Sequence, residues 1–261
     1  MIRVGAAFVW AVAVVLAVFG PLLAPVIGLP SATDISATPF EPASGEHVFG
    51  TDRLGRDIAA RMLSGNAVLV VVPLVAACLA SAAGLVVGSL YVMVPQWARG
   101  VTRTLLDALL VVPPIVIMLA IAASTGLSAP WLIGASVVLA LPLSSRFFEA
   151  TAQRVLAAGF IELARCRGDG WARIVVREVA PVLARPFATD VSLRFVATVY
   201  LTATASFLGA GVGDGSDTWA TLIQSGLSGV MLNPWGVAAP ALAIMALTVP
   251  LSVLSFGGGD V

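Results

Sequence analysis

The stretch AVLVVVPLVAACLASAAGLVVGSLYVMV, Ala67–Val94, runs for 28 residues without a charged side chain. A helix of about 20 mostly apolar residues crosses the hydrocarbon of a bilayer, and backbone in lipid must satisfy its own N–H and C=O groups. A strand barrel would instead show segments of about 10 residues with alternating polarity. Ala67–Val94 therefore predicts a spanning helix, and the fold class that follows is an all-α integral membrane protein. Pro95, Gln96, Arg99 and Arg103 mark where the run meets water.

Working outward, five more apolar segments stand at 4–29, 105–124, 130–143, 187–208 and 236–256, giving six spans in a single domain over 1–261. The first is longer than the roughly 7–15 residue core of a signal peptide and reads as an uncleaved span. A cleaved signal ending near Ser31-Ala32 is the alternative. Residues 30–66, broken by Pro30, Pro39 and Pro42, form a loop. Ten arginines (3, 99, 103, 146, 154, 165, 167, 173, 177 and 185) fall on the side of the N-terminus, against Arg53, Arg56 and Arg61 in the 30–66 loop. The bias of basic residues toward the cytoplasm predicts both termini inside and the 30–66 loop outside.

Composition agrees and excludes several chemistries. Hydrophobic residues make up 59% of the chain and charged residues 11%, too little polar surface to coat a water-soluble globule of 261 residues. All 14 basic residues are arginine. Without lysine the chain carries neither a Walker A phosphate loop nor a Schiff-base amine. His47 is the single histidine, and Cys78 and Cys166 stand far apart, so no disulfide framework or clustered metal site is expected. Catalytic residues, a cofactor or metal on this chain, and a nucleic-acid partner are not expected.

The longest charged segment, 146–185, reads RFFEATAQRVLAAGFIELARCRGDGWARIVVREVAPVLAR and splits at Gly168-Asp169-Gly170. Apolar residues recur at helical spacing on both sides of the split, which predicts a helix, a turn and a second helix on a membrane surface. An amphipathic pair lying on lipid headgroups is the plain alternative to a protein contact. Within it, Glu162-Leu163-Ala164, then Gly168, then Pro181 resemble the EAA loop of binding-protein-dependent ABC permeases, with Leu163 where the family has its first Ala.

The resemblance is longer than one motif. His47-Val48-Phe49-Gly50-Thr51-Asp52-Arg53-Leu54-Gly55-Arg56-Asp57 is similar to the H-x-x-G-T-D-x-x-G-R-D signature of the dipeptide, oligopeptide and nickel permeases. Arg103, Asp107 and Pro113 resemble that family's start of a helix, and Ser206-Phe207-Leu208-Gly209-Ala210-Gly211-Val212 with Trp219 resembles its S-F-L-G-x-G-V…W stretch. The T-D-x-x-G-R-D sequence after span one fits the type called the C permease.

The resemblance implies the permease fold of a type I ABC importer and a subunit that moves solute by alternating access. Its implied partners are a homologous second permease subunit, two ATP-binding subunits or one fused ATPase, an extracytoplasmic solute-binding protein and the lipid of the cell inner membrane. ATP and Mg would be bound by the ATPases alone. Glu162, Leu163, Ala164, Gly168 and Pro181 would form the coupling helix, with Glu162 anchoring it by charged hydrogen bonds, Gly168 allowing the turn and Pro181 ending its second helix. Solutes implied are peptides, or nickel and other metal chelates.

For the outer motif, Gly50, Thr51, Asp52, Gly55, Arg56 and Asp57, a docking surface for the binding protein competes with a salt-bridged cap, in which Thr51 or Asp52 caps the next helix. Asp107 is expected to pair with Arg103 one turn away, with a role in the pathway as the alternative. Asp190 and Arg194, spaced i, i+4, are expected to snorkel to the cytoplasmic interface. Gly84 and Gly88 predict close helix packing, with lining of the conduit, as for Ser206, the other possibility. A stand-alone secondary transporter is the rival reading; it calls for ionisable residues at the bilayer midplane and internal repeats, and neither is apparent in the sequence.

Overall fold

In the computed structural model, which describes residues 2–64, 66–93, 95–125, 128–207 and 218–256, the uncharged run is a helix, α3 (Ala67–Met93). Around it stand α1 (Ile2–Val26), α2 (Ile58–Leu63), α4 (Gln96–Val111), α5 (Pro114–Thr125), α6 (Ala129–Leu156), α7 (Gly159–Cys166), α8 (Trp171–Ile174), α9 (Ala180–Phe207), α10 (Trp219–Gly226) and α11 (Trp235–Phe256). The described residues form no strand beyond two isolated bridges, Ile35 with Arg56 and Thr51 with Asp57.

Core contacts give the helices their directions. Val72 of α3 packs with Leu132 of α6, while further along Gly84 meets Ser144 and Gly88 meets Glu149. The two helices therefore run parallel. Helix α9 runs against them: Leu183 packs with Val155, and Ala205 packs with Val72 and Leu132. Helices α1 and α11 are antiparallel, since Arg3 near the start of one reaches the Leu254 carbonyl near the end of the other. The chain thus passes from end to end six times, counting α4 and α5 as one pass. The start of α1, the end of α11 and the 157–170 segment lie at one end, and the 27–57 loop lies at the other.

Four helices or helical runs, Arg3–Val26, Ile58–Tyr91, Ala129–Leu156 and Trp235–Ser255, are long and apolar enough to cross a membrane. The bent pair α4 and α5, which turns by 74° where Val112 and Pro113 interrupt the ladder, makes a fifth crossing if the two are taken as one span. The expected unbroken helix over 105–124 is thus corrected to a broken one. Proline removes a donor and disfavours helical geometry in the residue before it, which accounts for the break. Helix α9 has 28 residues but carries Arg185, Asp190 and Arg194, which lower its apolarity.

Two further boundaries move for the same kind of reason. Helix α6 continues thirteen residues past the expected end at Leu143, because the charges that follow are paired: Arg146 with Asp107, and Arg103 with Glu149 at 2.6 Å. Pro181 does not end a helix. It sits at the second position of α9, just after a π-helical segment over Val175–Val179. The widened π ladder is a common site for the bend that proline requires, so the helix from Trp171 carries through to Phe207. Helix α1 is part of the bundle: Ala13 and Ala17 join Leu69, Leu247 and Trp219 in one buried cluster.

Candidate functional site

The 157–170 segment is built so that part of it is anchored and part is displayed. Ile161 and Ala164 of α7 are buried against Val155, Ile174, Val179 and Leu183, whereas Glu162 is exposed and Leu163 stands 65% exposed. Gly168 has φ +80°, the left-handed conformation glycine adopts without strain. The N–H of Asp169 then donates to the Ala164 carbonyl at 3.1 Å, closing the end of α7. Asp169 accepts from Arg173 at 3.1 Å and Arg167 at 3.3 Å, and Arg167 also donates to Glu178 at 3.0 Å. The Arg173 hydrogen bond, with Arg167 beside it, holds the Asp169 carboxyl below its ordinary value. These bonds fix the turn and leave Glu162 and Leu163 pointing away from the bundle's own core.

At the opposite end, the 47–57 motif is an internal brace. Asp57, not Thr51 or Asp52, caps α2: its Oδ1 accepts from the Ala60 N–H at 2.8 Å, while Oδ2 lies 2.8 Å from Nδ1 of His47. The cap falls here because the Thr51–Asp57 bridge places the chain reversal between them, so only Asp57 is adjacent to the helix. Asp52 closes the reversal itself, accepting from the N–H groups of Leu54 at 2.7 Å and Arg56 at 2.9 Å. It also pairs with the side chains of Arg56 and Arg61. Burial raises the Asp52 carboxyl, but the Arg56 and Leu54 N–H groups, then the Arg61 charge and the Arg56 side chain, outweigh burial and leave it below its ordinary value. Gly50 (φ +72°) and Gly55 (φ +75°) supply the turns. Thr51 Oγ1 donates to the Thr38 carbonyl at 2.6 Å.

The middle of the bundle holds what sequence reasoning misplaced. Asp190 is wholly buried, and its Oδ2 accepts from Ser81 of α3 at 2.8 Å and Ser144 of α6 at 2.7 Å. Arg194 donates through Nε to Oδ1 at 3.3 Å. The i, i+4 pairing is as expected. Snorkelling is not, because α9 begins seven residues earlier than the expected span and puts the pair ten and fourteen residues into a 28-residue helix. Ionisable residues therefore do occupy the central part of the bundle. Asp107 likewise pairs with Arg146, while its expected partner Arg103 reaches Glu149.

Gly84 and Gly88 are packing residues: a Cβ on Gly84 would stand 2.3 Å from the Cβ of Ser144, and one on Gly88 2.4 Å from the Ser145 carbonyl oxygen. The Ser206 hydroxyl is buried without a hydrogen-bond partner. Leu208–Val212, the rest of its motif, and Gly257–Val261 lie outside the described residues. No group of three or more His, Cys, Asp or Glu side chains suited to a metal ion occurs among the described residues. Sequence reasoning passed over Asn66, which accepts from the Trp219 N–H at 3.0 Å. It also passed over Asn233, which donates to the Phe49 carbonyl at 2.9 Å and ties the motif loop to the start of α11.

A bundle of repeated apolar passes, a braced loop at one end and a displayed helix at the other define a multi-pass membrane permease subunit. The chain belongs to the family of binding-protein-dependent transport system inner membrane components, whose profile matches residues 53–256. It is similar to the di/tripeptide transport system permease protein DppC of Pseudomonas aeruginosa, 26% identical over 94% of this chain and 82% of that protein. A Brucella suis protein, provisionally named a peptide transport system permease, is 28% identical over 96% of this chain and 84% of its own length. The subunit is a transport component of the inner membrane, not an enzyme; ATP hydrolysis belongs to separate ATPase subunits.

Proposed function

We propose that this chain is one permease subunit of an ABC importer for small peptides. It would be assembled with a homologous second permease, two ATP-binding subunits or a fused pair, and an extracytoplasmic solute-binding protein. The peptide assignment is supported by the names of its relatives, which are peptide and di/tripeptide permeases. No observation on this chain favours nickel chelates.

The observation that carries the mechanism is the display of Glu162 and Leu163 on an α7 whose other face is buried. An apolar side chain beside a carboxylate on a short, internally braced helix suits a groove on a protein better than solvent. In this reading Glu162 accepts charged hydrogen bonds from a basic group of the ATPase, Leu163 fills an apolar hollow beside it, and Gly168 holds the turn. Closure of the ATPase dimer on ATP then displaces α7, and the bundle alternates between outward and inward access. ATP and Mg stay on the ATPases, and this chain carries no cofactor. The arginine bias supports an orientation with α7 and both termini cytoplasmic and the 47–57 motif outside, where Gly50–Asp57 shapes the rim that a binding protein meets.

The test is ATP hydrolysis by the reconstituted complex, with and without loaded binding protein, for the native chain, Glu162→Ala and Leu163→Ala. Stimulation by the binding protein should be lost in the variants while the complex still assembles. Unchanged stimulation in both would remove α7 from the coupling path.

A further inference from the structure

We infer that the groove beside Arg194 is a carboxylate-binding station in the conduit, a proposal that rests on the permease reading above. A cleft of about 420 Å³ opens between α5, α6 and α9, with Ile115, Leu139 and Leu201 among its apolar walls and, among the described residues, Arg194 as the one charged side chain in its lining. An ionisable side chain in the middle of a membrane bundle is costly to keep and marks a site of function by default. Asp190 is turned inward to Ser81 and Ser144, so both its oxygens are engaged within the protein. Arg194 spends only Nε on it, and among the described residues neither Nη atom makes a hydrogen bond. Two parallel N–H donors remain, the geometry that binds a carboxylate through both oxygens.

A second observation points the same way. Ser136, which also lines the cleft, is 3% exposed, and its Oγ has no hydrogen-bond partner. A buried hydroxyl left without a partner is costly and calls for an explanation, which a ligand that hydrogen-bonds to it would supply. Thr198, Tyr200 and Thr204 add further hydroxyl-bearing side chains to the lining. The station therefore takes a small solute with an apolar body and a carboxylate, as the C-terminal end of a short peptide offers. Asp190 is the positioning residue: it holds Arg194 by one edge and leaves the other edge for the solute.

The test uses the complete importer in liposomes, carrying Cys78→Ser, Cys166→Ser and Ala197→Cys; Ala197 is exposed on the cleft wall one turn from Arg194. The rate at which a thiol reagent labels position 197 is measured with Ala-Ala or with its C-terminal amide, in the absence of binding protein. Ala-Ala should slow labelling about fivefold at several times its dissociation constant, as simple occupancy requires, and the amide should not. Adding Arg194→Gln should abolish the protection and Arg194→Lys should restore part of it. Should Arg194→Gln fail to assemble because Asp190 is left unpaired, Arg194→Gln with Asp190→Asn, which removes both charges, takes its place. Equal protection by acid and amide, no protection by either, or a position 197 that never labels because another subunit or lipid covers it would each overturn the inference. Stimulation of ATP hydrolysis by binding protein, measured on the same liposomes, reports separately whether the permease reading itself stands.

Discussion

Gly84 lies against Ser144 so closely that a Cβ on the glycine would stand 2.3 Å from the serine Cβ and 2.9 Å from its carbonyl carbon. The contact sits beside the serines that hold Asp190, so it sets both the separation of α3 and α6 and the depth of that carboxylate. Forcing atoms into a packed interface costs about 1–3 kcal/mol for a methyl and more for larger groups. Gly84→Ala should lower the thermal midpoint of the detergent-solubilised subunit, and Gly84→Leu should prevent assembly, as size-exclusion chromatography would show.

Asp57 serves two groups at once, the Ala60 N–H and His47. Asp57→Ala removes a helix cap worth about 1 kcal/mol and leaves a buried imidazole without its partner. Limited proteolysis within residues 30–57 should speed up about tenfold or more. Asp57→Asn, whose amide oxygen still accepts from Ala60, should fall between.

The Asp52 carboxyl gives a pH dependence with a definite sign. Its folded value lies below the ordinary 3.8, so its contribution to stability is fully present above that value and is lost as pH falls from there toward the lowered one. The same proteolysis should therefore accelerate on acidification below about pH 4. Asp52→Asn should remove that part of the acid response while being cleaved faster than the native chain near neutrality.

Two ion pairs join α4 to α6, and their burial predicts unequal weight. Asp107 and Arg146 are 44% and 48% exposed, so Asp107→Asn should cost less than about 1 kcal/mol and leave transport unchanged. Glu149 is only 3% exposed, so Arg103→Ala strips the ionic partner from a buried carboxylate and should be the more damaging of the two. Comparing the thermal midpoints of the two variants decides the order.

Much of the fold could be read from the sequence because lipid leaves the backbone few options. The uncharged run at Ala67–Val94 became α3 almost residue for residue. Hydropathy erred wherever charges found partners inside the bundle. Arg146 and Glu149 read as the edge of the membrane, yet they lie on a helix that continues to Leu156. Asp190 and Arg194 read as an interfacial pair because Ser81 and Ser144, the partners of Asp190, lie on other helices and no local spacing reveals them. At the candidate coupling segment, the split at Gly168 was legible from glycine chemistry. The π-helical passage through Pro181 was not, since proline alone argues for a stop. The roles of Asn66 and Asn233 depend on contacts made more than 150 residues away along the chain.

The fit of Gly84 and Gly88 against α6 has a mechanical consequence. Helices meshed at backbone distance resist sliding and tilting apart, so α3 and α6 behave as a single girder. Helix α6 is 28 residues long, about 42 Å, and α7 follows it after Ala157 and Ala158, packed back on Val155 near its end. Under the proposed coupling role, a push on α7 would enter a stiff two-helix beam and reach the far rim, beside the loop that Asn233 pins, with little spent on bending the chain between them.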